Sequence, residues 1–358
     1  MIEWSNLPLL SFIVVFVLVT SITILIFYFV LKQKFVYDIF QHKFRKRDIH
    51  TTIKPKIGGL FIVPLFNISL LLLNWFDLIN LNYAWFGVML GSVLVFIYGF
   101  LDERYDLSWK YQLVIQLIIA LILILFGITI KSIMLPYGEI LFFDQMNFGI
   151  WGLDLYLFQV VLTILWIVGL MNVLNWLDGI DGLAGGVGFI GFVILFVLSI
   201  TTFVNQLEIA YLSLVLAGIY IGFLYFNFYP SKIFLGTVGS MFLGYILASL
   251  AIISGGKIAT ISLVLAFPII DALIVIIQRL MAGQSIFKAD NRHFHYKLLQ
   301  MGLSQKKAVI IMYCISLIFG VSALIFKTNG KILIFLSGMI FLFLFSFRII
   351  NINKKNKY

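Results

Sequence analysis

The chain has 358 residues, 62% of them hydrophobic and only 11% charged, with a mean hydropathy of +1.10. A water-soluble domain uses about half apolar and about a quarter charged residues, so the solvent of this chain is lipid. The net charge of +10 is explained by basic loops attracted to anionic headgroups and does not call for nucleic acid as a partner.

Each spanning segment must satisfy its own backbone hydrogen bonds, which leaves helices or a closed barrel. The apolar runs are continuous rather than alternating, so an all-α polytopic membrane protein is predicted. A span needs about 20 apolar residues. Eleven runs meet that need: 7–31, 57–76, 84–101, 112–130, 157–174, 183–204, 209–229, 238–254, 258–278, 308–326 and 332–350. The first is too long for a signal-peptide core and has no small-residue cleavage site after it, so it reads as a retained span. The outer loop 131–156, with Pro136, Gly138, Gly149 and Gly152, predicts a short hairpin. No internal repeat or separable soluble domain is visible, so 1–358 reads as one integral membrane domain. The single cysteine, Cys314, excludes a disulfide framework.

The loops between the runs fall into two alternating sets. The set comprising 32–56, 102–111, 175–182, 230–237, 279–307 and the tail holds 21 of the 25 Lys and Arg residues. Basic loops stay in the cytoplasm. The expected topology is therefore N-terminus outside and C-terminus inside, in the inner (plasma) membrane. The run Lys43-Phe44-Arg45-Lys46-Arg47 suits headgroup contact.

The same set carries acids at the membrane boundary: Asp38, Asp48, Asp102, Glu103, Asp106, Asp178, Asp181 and Asp290, while Asp271 sits inside the ninth run. Ionisable groups at such depth are costly and point to function. In Asp102-Glu103-Arg104-Tyr105-Asp106, two adjacent carboxylates call for a nearby cation, although a solvated loop with local ion pairs is an alternative. In Asn172-x-x-Asn175-x-x-Asp178-Gly-x-Asp181-Gly the polar residues recur every third position, which on a helix is roughly one face. Carboxylate and amide oxygens in such a stripe suit a hard cation such as Mg²⁺. Pro230-Ser-Lys232 to Gly236-Thr237-Val-Gly239-Ser240 is a Gly-rich turn whose N–H groups could face an anion. In Asp290-Asn-Arg292-His293-Phe-His295-Tyr-Lys297, Arg292 is a bidentate phosphate donor and the histidines could bind phosphate oxygens or a metal. A generic basic loop is the competing reading of that stretch.

With these motifs in order, the chain resembles the polyprenyl-phosphate N-acetylhexosamine-1-phosphate transferase family, from Ile57-Gly58-Gly59 to Tyr313. The most specific parts are the Asn-Asn-Asp-Gly-Asp-Gly run at 172–182 and Pro268-x-x-Asp271 leading to Arg279 and the His-x-His loop. The stretch from Asp290 to Gly302 is more similar to the branch using UDP-N-acetylglucosamine for teichoic acid, O-antigen or related glycans. The resemblance implies that polyprenyl phosphate attacks the sugar-bearing phosphorus of a UDP-sugar, releasing UMP, with Mg²⁺ or Mn²⁺ as cofactor. It implies catalytic roles for Asp102, Glu103, Asp178, Asp181, His293 and His295. Asn172, Lys110, Gln112, Asn227, Arg292 and Asp271 are expected on the substrates, and Asn175, Asp178 and position 237 at the metal. The active site is expected on the cytoplasmic face, and a homodimer is compatible with the sequence.

The chain departs from the family pattern at four positions. Glu103 stands where a second Asp is usual, Gln112 where Lys is usual and Tyr296 where a third His is usual. Thr237 replaces the Asp expected as a metal ligand. Two other readings therefore stay open: a diverged relative that binds lipid phosphate or nucleotide without turnover, and a secondary transporter, which broken spans and intramembrane acids also mark.

Overall fold

The computed structural model describes residues 8–33, 54–135, 137, 139–143, 147–150, 153–201, 204–255, 257–285 and 292–355. The basic run at 43–47, Asp38, Asp48, Pro136, Gly138, Gly152 and Asp290 lie outside them. Among the described residues there are thirteen helices and four short strands. In chain order the helices are α1 (Leu9–Leu31), α2 (Gly58–Trp75), α3 (Tyr83–Tyr105), α4 (Trp109–Leu125), α5 (Leu157–Leu177), α6 (Leu183–Ser199) and α7 (Leu207–Asn227). They continue with α8 (Gly236–Ile253), α9 (Ile258–Val264), α10 (Ala266–Met281), α11 (Phe294–Gln300), α12 (Gln305–Ile325) and α13 (Thr328–Lys355).

Seven of these helices are long and apolar enough to cross a bilayer: α1, α2, α3, α5, α7, α8 and α12. Three shorter apolar helices match the remaining runs at 112, 183 and 332. The ninth run is not one helix. It bends by 76° between α9 and α10, with Pro268 in the first turn of α10. Proline lacks an N–H to donate, and the first turn of a helix is where that loss costs least. The fourth run also stops short, at Leu125, because Gly127 takes a positive φ of 80° and ends the helix. Outside the helices, β1 (Ser132–Met134) pairs antiparallel with β2 (Ile140–Phe142), and β3 (Asn147–Ile150) with β4 (Leu153–Tyr156). The expected hairpin is thus two hairpins.

The bundle is built around α7 and α8, whose central windows are 83% and 89% buried, against 11% for α1. α8 packs on α5, α3 and α2, while α7 packs on α6 and α1. Lipid tails give helices no hydrophobic reason to associate, so close backbone contact has to supply the attraction. The contacts of α8 are of that kind. A Cβ on Gly59 would stand 2.1 Å from the Gly239 nitrogen, and one on Gly244 would stand 2.3 Å from the Leu170 carbonyl oxygen. The second crossing packs α5 against the middle of α8, and the first seats the start of α2 on the first turn of α8. The chain entering α2 is tied there as well. Gly58 and Gly59 donate N–H bonds to the carbonyls of Phe234 and Leu235 at 3.0 and 2.9 Å, and Phe234 returns one to Pro55 at 3.0 Å.

Candidate active site

The helix ends gathered on α8 enclose a cavity of about 960 Å³. Asp102, Gln112, Asn172, Asn175, Asp178, Asp181, Asn227, Thr237 and His293 line it, so the dispersed motifs of the sequence meet in one place. Leu113, Leu117, Ile164, Leu165, Leu273 and Ile276 form an apolar wall from α4, α5 and α10. Five other expected residues are not on the lining. Glu103, Asp271 and His295 stand behind it, and Lys110 and Arg292 point elsewhere.

α3 carries Asp102 and Glu103 to the start of α8. Its own start is fixed by Asn82, whose side chain accepts the N–H groups of Ala84 and Trp85. Glu103 accepts the Val238 N–H at 3.2 Å, a carboxylate on the positive end of a helix. The Thr237 hydroxyl donates to Asp102 Oδ2 at 3.0 Å, so the side chain in the place of the usual Asp contacts the first acid of the adjacent pair.

Asp178 ends α5, is half-buried, and faces the cavity. Burial pushes its carboxyl up to about 7, against the opposing pull of Lys56 and the Gly236 N–H. Asp181, three residues on, is 2% exposed. It accepts the Ser231 hydroxyl at 2.7 Å, the Ser231 N–H at 3.0 Å and the Lys54 ammonium at 3.3 Å. Asn227 joins the same corner, taking the Gly182 N–H at 3.1 Å and donating to the Ile233 carbonyl at 2.9 Å. Tyr313 on α12 donates its hydroxyl to the Gly182 carbonyl. Asn175 accepts from Ser240 Oγ at 2.9 Å, tying α5 to α8.

Along α4 and α5 runs a chain of amides. Gln112 Nε2 donates to Asn172 Oδ1 at 3.2 Å, and Asn172 Nδ2 donates to Gln116 Oε1 at 2.8 Å. This chain borders the apolar wall. Lys110 instead lies over the Trp109 ring, 5.9 Å from its centroid.

The histidines have unequal surroundings. Asp271, buried in α10, accepts the Phe294 N–H at 2.8 Å and pairs with His293 Nδ1 at 2.8 Å, which leaves the rest of the ring toward the cavity. His295 is fully buried beside Gly179, where a Cβ would stand 2.4 Å from its Nε2. Burial pulls its imidazole down to about 3, helped by His293, so the ring is neutral. Tyr296, in the place of a third histidine, lines the cavity, and Arg292 donates to Gln284 at 2.6 Å.

Sequence reasoning passed over Lys54, Lys56, Gln116 and Ser231. In the sequence Lys54-Pro-Lys56 reads only as loop charge. Its position just before a Gly-Gly that opens a span was the available signal. Gln116 was signalled by being an amide inside an apolar run.

The donors at the start of α8 are hard oxygens, and Glu103 Oε2 is buried with no hydrogen-bond partner. Among the described residues no three His, Cys, Asp or Glu side chains are arranged as a closed metal cage.

The sequence pattern of Glycosyl transferase family 4 matches residues 85–255. A Bacillus subtilis (strain 168) protein named "Probable undecaprenyl-phosphate N-acetylglucosaminyl 1-phosphate transferase" is 31% identical over 288 residues, covering 79% of this chain and 76% of that protein. The chain belongs to glycosyl transferase family 4. A family relative from Mycolicibacterium smegmatis, named "Decaprenyl-phosphate N-acetylglucosaminephosphotransferase", is 28% identical over 318 residues, 80% of this chain and 76% of its own. Another, the "Phospho-N-acetylmuramoyl-pentapeptide-transferase" of Buchnera aphidicola (strain Tuc7), is 29% identical over 352 residues, 89% of this chain and 96% of its own. As a member of glycosyl transferase family 4 the protein is an integral membrane enzyme of the sugar-phosphate transferase class.

Proposed function

We propose that the protein transfers a sugar-1-phosphate, GlcNAc-1-phosphate, from a UDP-sugar to undecaprenyl or another polyprenyl phosphate. The observation that carries this reading is the single cavity with a charged end at α8 and an apolar wall along α4, α5 and α10. A hydrophilic donor suits the first and the isoprenoid stem of an acceptor the second. The names of the relatives with GlcNAc and polyprenyl phosphate in them support the same pairing. The concentration of Lys and Arg in the loops that carry these motifs supports a cytoplasmic site, eleven spans and an outer N-terminus. The domain is read as one unit, because its motifs from positions 102 to 293 share one cavity.

In the reaction an oxygen of the lipid phosphate forms a bond to the sugar-bearing phosphorus. The bridging P–O bond breaks, and UMP leaves with its electron pair. Catalysis of such a step is mostly positioning and charge stabilisation. Mg²⁺, when bound, supplies neutralisation of the diphosphate. Asp102 and Asp178 are assigned to its side of the site, with Asn175 and Thr237 as neutral oxygens beside them. His293, oriented by Asp271, is assigned to donate to phosphate oxygens. The Gln112–Asn172–Gln116 chain is assigned to the acceptor, at the junction of polar and apolar walls. The lipid phosphate is already largely ionised near neutral pH, so Asp102 orients it and has little proton to remove.

Membranes containing the protein, given labelled UDP-N-acetylglucosamine, undecaprenyl phosphate and Mg²⁺, should yield UMP and a labelled lipid. Silence that Thr237→Asp restores would establish a diverged relative. Silence in both, with uptake of a solute, would sink the enzyme reading.

A further inference from the structure

The acidic cluster at the first turn of α8 contains a cation of its own. Asp102 and Glu103 reach it from α3, and Asp178 from the end of α5. Three carboxylates gathered on one turn repel one another unless positive charge stands among them. The N–H groups of Thr237, Val238 and Gly239 begin a helix and supply part of that charge. Lys56 supplies more. Its backbone is held on both sides, by the Phe234 N–H bond to Pro55 at 3.0 Å and by the Gly58 N–H bond to Phe234 at 3.0 Å. Its Cβ lies 3.4 Å from where a side chain on Gly236 would begin, and its side chain lines the cavity. Its charge acts on both Glu103 and Asp178. Glu103 Oε2 is buried and takes no hydrogen bond, so the Lys56 ammonium acts on this carboxyl through its field and not through a direct bond.

We propose that Lys56 is the resident counter-cation of this cluster and sets the affinity of the site for a divalent metal. An ammonium and a divalent cation compete for the same electrostatic well, so each weakens the other. Thr237 contributes a hydroxyl hydrogen-bonded to Asp102 and no further charge. The cluster therefore sets three carboxyl groups around one ammonium. A divalent ion binds weakly until a diphosphate adds its own oxygens, and Lys56 is then released toward those oxygens. The acids stay ordered between turnovers because they are never without a cation. This inference rests on the metal assigned under the proposed function.

The test is a titration of the purified full-length protein with Mn²⁺ in detergent, without substrates, following free Mn²⁺ by its paramagnetic resonance signal. Removing one unit charge a few ångströms from the ion should tighten binding about tenfold in Lys56→Met. Lys56→Arg, which keeps the charge, should stay at the wild-type value. Lys56→Gln carries the comparison should Lys56→Met lose its cooperative thermal transition. Equal or weaker Mn²⁺ binding in the neutral variants would overturn the proposal, as would a ten-fold tightening shared by Lys56→Arg. Failure of the transferase reading is separate, since it shows as the absence of labelled lipid product and leaves this binding comparison unaffected.

Discussion

Asp178 and Asp181 belong to one turn, three residues apart, and live in opposite surroundings. Asp181 borders the same cavity as Asp178, but its side chain is enclosed and its oxygens are taken by Ser231 and Lys54. Asp178 faces a cavity of about 960 Å³, and burial raises its carboxyl to about 7. The first corner closes on itself and joins the chain before α2, the α5–α6 turn and the α7–α8 turn. The second corner opens to the space where substrates fit. A carboxylate at a membrane boundary is costly in either case. What separates a strut from a working group is whether protein partners already consume its charge.

Asn at each position should break the symmetry of the motif. Asp178→Asn should lower the transfer rate about 10³-fold, the scale for losing one preorganised electrostatic group. Its melting temperature should stay level or rise, because a half-buried charge is removed. The contrasting change, Asp181→Asn, leaves the Lys54 ammonium short of a partner in a buried corner. It should cost about 3 kcal/mol of stability, the scale for breaking a buried pair. The rate per folded molecule should fall less than about tenfold, far below the effect at the open corner. Transfer assays and denaturation in mild detergent measure both. A silent but stable Asp181→Asn would show that the closed corner also does chemistry.

Gly179 lies between the two corners and reports on how tightly the turn is held. A Cβ there would stand 2.4 Å from His295 Nε2 and 3.1 Å from the Tyr296 hydroxyl. His295 is enclosed and cannot swing aside freely. Gly179→Ala should therefore cost about 2 kcal/mol, typical of overpacking a filled site. In a double-mutant cycle His295→Ala should recover about 1 kcal/mol of that. Additive effects would mean that the turn relaxes on its own.

How much of this was legible follows from what each signal depends on. Helix existence was legible almost throughout, because apolar length alone marks a span. The break at Leu265 was missed, since Pro268 sits within a run that remains apolar on both sides. The motif residues Asp102, Asp178, Thr237 and His293 were found, and the structure brings them to one cavity. Which carboxylate is open and which is closed was not legible. Asp178 and Asp181 occupy equivalent places in the repeat, and the difference is made by Ser231 and Lys54, far away in sequence. Lys56 was lost for the same reason: it reaches α8 only through pairing with Phe234. His295 alternates with His293 in sequence, yet α11 turns one ring toward the cavity and the other into the core.

That last contrast gives a pH test of the buried side. His295 titrates near 6.5 in an unfolded chain and is held down to about 3 when folded, by burial first and then by His293, with Asp271 opposing. Between these values the unfolded state binds the extra proton and the folded state does not. Stability is then fully present above about 6.5 and is lost as pH falls toward 3. At pH 5 the loss from this ring should be about 2 kcal/mol. A neutral, similarly sized replacement, His295→Gln, removes the proton site and should flatten the stability profile between pH 7 and pH 5 by that amount. His293→Gln should relieve only part of it, because burial is a larger cause of the His295 shift than His293 is. Denaturation midpoints of the three proteins at a series of pH values decide the matter. Parallel profiles for wild type and His295→Gln would mean that the ring is solvated in the native state, and that Gly179 faces water in place of a buried imidazole.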